Sequence, residues 1–139
     1  GCASLPQNFS REDLLKLDAA DTTLARGFAA QAAAHTTAAG GHSGAFPLTQ
    51  GMEALDARVA LARLAERSLD VQYYIWHGDD SGRILLKELL DAADRGVRVR
   101  LLLDDLGVGA ANDDVFRWVD AHPQVSVELF NPIALALRN

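Results

Sequence analysis

Residues 89–105 read Leu-Leu-Asp-Ala-Ala-Asp-Arg-Gly-Val-Arg-Val-Arg-Leu-Leu-Leu-Asp-Asp. The stretch changes period in its middle. Leu85, Leu86, Leu89, Leu90 and Ala93 share a helical face that runs up to Gly96, the residue type suited to the positive φ that ends a helix. From Val97 to Leu103 the chain turns β-branched and leucine-rich, the pattern of a strand. A helix passing through one glycine into an apolar strand predicts an α/β unit.

The same alternation continues on both sides. Val71-Gln72-Tyr73-Tyr74-Ile75-Trp76 reads as an earlier strand, and Asp79-Asp80-Ser81-Gly82 as the turn opening the helix. Met52–Arg67 carries a wide apolar stripe through Leu55, Val59, Ala62, Leu61, Leu64 and Ala65, which predicts a helix. Downstream, Asn112 stands where it can cap a helix whose first turn holds Asp113 and Asp114. That helix ends at His122-Pro123, and Val125–Phe130 predicts a third strand. The order α-β-α-β-α-β predicts a parallel β-sheet with helices on both faces.

The first 45 residues read differently. Residues 1–9 form a polar tether. Ser10 with Asp13 predicts a short capped helix through Lys16, and Asp21 stands to cap an Ala-rich helix over roughly Thr22–His35. Gly40-Gly41-His42-Ser43-Gly44 reads as a linker. The expected organisation is a helical N-terminal arm over 1–45 and an α/β domain over 46–139.

Composition bounds the function. At 139 residues the chain is one domain's worth of material and can bury roughly two-thirds of its unfolded surface. Hydrophobic residues at 49% exclude a disordered acidic tail. A net charge of −6 argues against nucleic acid as a partner, because no phosphate-neutralising surface is available. No run of about 18 apolar residues is present. A single cysteine excludes an internal disulfide and a Cys-based zinc cluster.

Ligands of open α/β sheets bind beyond the carboxyl ends of the strands. Those ends gather His77, Asp79, Asp80, Asp104, Asp105 and Asn131. Asp79, Asp104 and Asp105 could hold Mg²⁺ through carboxylate oxygens, or could cap the adjoining helices; the spacing fits both. The four histidines lack metal-ligand spacing, so no metal or other cofactor is expected. No phosphate-binding glycine loop and no nucleophile elbow occur. Tyr73, Tyr74 and Trp76 could stack a ligand or fill the core. Gln72 and Tyr74 share one strand face. The candidate pocket residues are therefore Gln72, Tyr74, His77 and Asp104, with no catalytic residue among them. Arg95, Arg98 and Arg100 form a basic cluster that reads equally as a solvated edge or an anion contact.

Ser68-Leu69-Asp70-Val71-Gln72-Tyr73-Tyr74-Ile75-Trp76, Asp80-Ser81-Gly82-Arg83 and residues 89–105 together resemble the N-terminal part of bacterial phospholipase D superfamily proteins, within the cardiolipin synthase-like group. Asp113-Asp114, His122-Pro123 and Leu129-Phe130-Asn131-Pro132 extend the resemblance, as do residues 43–48 and Gly51, so it covers about 43–132. The resemblance implies half of a phospholipase D-like domain and phosphodiester chemistry on phospholipids. It also implies two His-x-Lys-x-x-x-x-Asp motifs, a phosphohistidine intermediate and no metal. Neither lysine fits such a motif, because Leu14 and Leu85 stand two positions before Lys16 and Lys87. The first motif would fall downstream of Phe130-Asn131-Pro132. The expectation is a truncated N-terminal part of a phosphatidyltransferase or phosphodiesterase, inactive by itself, whose phospholipid substrate is bound with the missing remainder.

Gly1-Cys2-Ala3-Ser4 resembles the end of a bacterial lipoprotein signal, in which the cysteine receives lipid. It implies a lipidated Cys2, membrane attachment and the periplasmic side of a bacterial cell envelope. A rival expectation is a small lipoprotein that binds lipid or a partner without catalysis. A three-stranded sheet also exposes edges, which predicts self-association.

Overall fold

A computed structural model describes residues 18–34, 45–108 and 112–132. Along the chain lie α1 (Thr23–Ala34), α2 (Gly51–Leu64), β1 (Ser68–Tyr73), α3 (Asp80–Asp94), β2 (Arg98–Asp104), α4 (Asp105–Val108), α5 (Asp113–Asp120) and β3 (Val125–Phe130). The sheet is parallel throughout, in the order β1-β2-β3. This is the expected α/β architecture. The short helix predicted through Lys16 and the glycine linker at 40–44 lie outside the described residues.

The decisive helix-to-strand junction forms as its residues dictate. Asp79 caps α3 by accepting from the Gly82 amide at 3.0 Å. Leu85, Leu86, Leu89, Ala92 and Ala93 are buried along its inner face. At its end Gly96 takes φ +90°, with Gly96 N donating to Ala93 O at 2.8 Å and Val97 N to Ala92 O at 3.1 Å. Those two bonds satisfy carbonyls that the last turn leaves open, and Val97 and Ala92 pack together beside them. The chain thereby turns directly into β2.

β2 is the centre of the molecule. Val99, Leu101 and Leu103 are fully buried and meet Leu85, Leu89, Ala93, Phe116 and Val119 in one core. In register beside them, Leu69, Val71 and Tyr73 of β1 and Val125 and Val127 of β3 pack against the same core. Burial of each such side chain contributes roughly 1.5–3 kcal/mol.

Among the described residues α3 and α5 both pack on the face of Val99, Leu101 and Leu103, and α2 packs on α3. The opposite face carries Asp70, Gln72, Arg100, Leu102, Ser126 and Glu128 in register. Most of these side chains are polar.

Three boundaries differ from expectation. β1 begins at Ser68 and ends at Tyr73, because Ser68–Asp70 pair with Arg98–Arg100 while Trp76 N leaves the ladder for Gly107 O at 3.2 Å. Asn112 precedes α5 but makes no side-chain cap; its Nδ2 donates to Val108 O at 2.7 Å. Thr22 rather than Asp21 starts α1, with its hydroxyl accepting from Ala25 N, while the Asp21 carboxylate pairs with Arg67 at 2.7 Å.

The basic cluster is largely consumed by structure. Arg95 Nη2 donates to Ala62 O at 2.9 Å and to Arg63 O at 3.2 Å, tying α2 to the end of α3. Arg100 makes a two-bond pair with Asp70, at 2.6 and 2.7 Å, across β1 and β2. That guanidinium holds the Asp70 carboxyl below its ordinary range. A carboxylate with a depressed folded pKa contributes stability above its unfolded pKa and loses it as pH falls through the folded value. Asp70→Asn is therefore expected to lower the urea midpoint at pH 7 by a small amount, since the pair is solvent-exposed. Variant and parent should converge only as pH falls below the ordinary carboxylate range and through the depressed folded value. Equal midpoints at pH 7 would show that the pair contributes nothing.

The edge at β3 is partly closed. Val125 N donates to His122 O at 3.0 Å and Val127 N to Asp120 Oδ1 at 2.8 Å. Two amides along the outer edge are thus already occupied, which limits edge-to-edge pairing there.

Candidate functional site

The carboxyl ends of the strands are shaped by the segments into which they lead. β1 leaves the sheet at Tyr73, and Tyr73, Trp76 and Phe116 then stack edge to face, with centroids 5.0 and 5.6 Å apart. Tyr73 and Trp76 therefore serve the core. Tyr74, on the other face, is 69% exposed. β2 ends in Asp104, which is 7% exposed and accepts from Leu106 N at 3.0 Å.

Three of the four predicted pocket residues come together. Gln72, Tyr74 and Asp104 line one small pocket of about 150 Å³ with Tyr73, Leu102 and Phe130. It lies at the carboxyl end of the sheet, and carries an amide, a phenol and a carboxylate beside the apolar Leu102 and Phe130. The fourth, His77, lies apart. It lines a larger cavity of about 590 Å³ bounded by the start of α2, the exit of β1 and the start of α3. Sequence spacing could not separate the two, because Trp76 turns into the core between Tyr74 and His77.

The three acids do not converge as a metal site. Asp79 is committed to the start of α3, where the Gly82 amide and then the Ser81 hydroxyl hold its carboxyl below the ordinary range. Asp104 bonds the first turn of α4, and Asp105 is buried within it. Among the described residues no group of three or more His, Cys, Asp or Glu side chains could hold a metal ion. Capping accounts for Asp79 and Asp104.

Sequence reasoning missed Arg58 in the larger cavity. Its guanidinium lies over the Tyr73 ring, 5.9 Å from the centroid. It stands in a helix predicted only for its apolar stripe, so nothing in the spacing marks it.

Over 97 residues, 70% of this chain, the sequence is 54% identical to cardiolipin synthase C of Escherichia coli (strain K12). It is 44% identical over 91 residues to an uncharacterized protein of Helicobacter pylori, and 39% identical over 59 residues to cardiolipin synthase 2 of Staphylococcus epidermidis. This chain is a cardiolipin synthase-like, phospholipase D-superfamily partial region. No family model matches it. It spans 20%, 18% and 12% of the lengths of those three relatives.

Among the described residues the cardiolipin synthase-like region has one lysine, Lys87. Lys87 is exposed on α3 and pairs with Asp91 at 2.5 Å, while Leu85 two positions earlier is buried in the core. Lys16 and Cys2 lie outside the described residues. Among the described residues no helix is long and apolar enough to cross a membrane.

Proposed function

We propose that this chain is the N-terminal part of a phospholipase D-type phosphatidyltransferase or phosphodiesterase acting on phospholipids. The observation carrying this reading is the 54% identity over 97 residues to cardiolipin synthase C. In this reading residues 46–139 are a truncated α/β domain behind an arm over 1–45. The domain supplies scaffold and one wall of a substrate pocket, built from Gln72, Tyr74 and Asp104. His77 is a more distant contributor. The chain alone is catalytically silent, because its lysines are not in His-x-Lys pairs. Attachment through a lipidated Cys2 on the periplasmic side is read from Gly1-Cys2-Ala3-Ser4.

One set of assays tests the reading. The 139-residue chain is expected to release no headgroup from phosphatidylglycerol or cardiolipin, whereas a longer natural protein containing it is expected to do so. In that longer protein Tyr74→Ala should lower kcat/KM about tenfold without shifting its melting temperature, the loss of one aromatic packing partner. Cys2→Ala should move the protein into the soluble fraction, since a lipid-modified cysteine supplies the membrane affinity. Headgroup release by the short chain would overturn its silence. An unchanged kcat/KM would remove Tyr74 from the pocket, and unchanged membrane retention would remove the anchor.

A further inference from the structure

The cavity at the start of α2 and α3 collects several hydrogen-bond donors that have no partner among the described residues. α2 is 14 residues long, and its N-cap residue Gln50 makes no side-chain cap. The amides of its first turn face the region lined by Gln50, Gly51 and Met52. Arg58, on the same helix, lines the cavity and has no ion pair among the described residues. Most other described arginines have a carboxylate or carbonyl partner. Trp76 is 5% exposed and also lines the cavity. Its indole nitrogen lies beside Gly82, 3.2 Å from where a Cβ on that residue would stand, and its N–H makes no hydrogen bond among the described residues.

We propose that this cavity binds a phosphate-class oxyanion, held by the Arg58 guanidinium, the Trp76 indole N–H and the opening amides of α2. Each is a donor suited to anionic oxygen, and the helix terminus adds its positive partial charge. The one carboxylate in the lining among the described residues, Asp79, accepts from Gly82 N and Ser81 Oγ at the start of α3. Beside Gln50, His77 and Ser81 the wall carries the apolar side chains of Leu55, Ile75 and Leu85 and the Tyr73 ring, which reduce competition from water. The site is formed by this chain alone and does not depend on the enzyme reading above. The oxyanion is either free or carried on a lipid headgroup.

The test uses the 139-residue chain and tracks the indole N–H resonances of Trp76 and Trp118. Inorganic phosphate, at ionic strength matched with chloride, is expected to shift Trp76 saturably and leave Trp118 unmoved. Arg58→Gln should weaken that binding about tenfold or more, the loss of a charge-assisted hydrogen bond. Arg83→Gln should leave it unchanged, because Arg83 pairs with Asp80 and does not line the cavity. A second arm adds vesicles of phosphatidylglycerol or of phosphatidylcholine. A response to phosphatidylglycerol that phosphate competes away assigns the site to a headgroup; a response to phosphate alone assigns it to the free ion. Absence of a saturable Trp76 shift in both arms overturns the proposal, as does a shift that Arg58→Gln leaves intact.

Discussion

Gly107→Ala is expected to destabilise the domain by about 3 kcal/mol, the range of substitutions that force the backbone to move. A Cβ on Gly107 would stand deep inside contact with the Tyr74 carbonyl oxygen, 2.8 Å from the carbonyl carbon and 3.0 Å from Ile75 Cα. All three are main-chain atoms, so no side chain can rotate away. Gly107 O also accepts from Trp76 N at 3.2 Å, so any separation of the two segments weakens that bond. The bond holds the turn that carries Tyr74 to one face and Trp76 to the core. Urea unfolding with an unchanged slope and a lowered midpoint is the expected result. A midpoint shift equivalent to less than about 0.5 kcal/mol would mean that α4 yields freely, since ordinary surface changes stay within that range.

Leu103→Ala is expected to cost about 2–5 kcal/mol, the lost transfer energy plus the cavity left behind. Leu103 is 0% exposed and lies between Tyr73 and Leu129 in register, with helices on its core side. The neighbouring strands are fixed by ladder bonds and cannot close on the void. The effect should exceed that of Leu102→Ala, whose side chain lies on the opposite face and is 36% exposed. Similar losses at the two positions would mean that Leu102 is packed as tightly as Leu103.

That contrast also marks how far local sequence pattern reaches. The apolar run Leu101-Leu102-Leu103 marks a strand but does not tell its two faces apart. The register does, placing Arg100 opposite Asp70 and Leu102 opposite Gln72 on one face and Leu101 and Leu103 on the other. The candidate site shows the same limit. Gln72, Tyr74 and Asp104 meet because their strands pair in register, while His77 is carried off by the inward turn at Trp76. Arg58 gives no signal in the sequence because a lone arginine on a helix is ordinarily a solvated residue.

The sequence by itself determined the element order apart from the short α4, the helix-to-strand junction at Gly96 and the parallel α/β class. Each rests on local periodicity, on the φ that glycine permits, or on the reach of a crossover. Its residues 43–132 also carried the resemblance to cardiolipin synthase-like proteins, which identity over 97 residues supports. The tertiary structure alone decided that α3 and α5 share a face and that the open face holds Gln72, Tyr74 and Asp104. It likewise decided that Arg58 and the Trp76 indole border one cavity. These depend on register and on packing between residues far apart in the chain, and short-range spacing does not encode either.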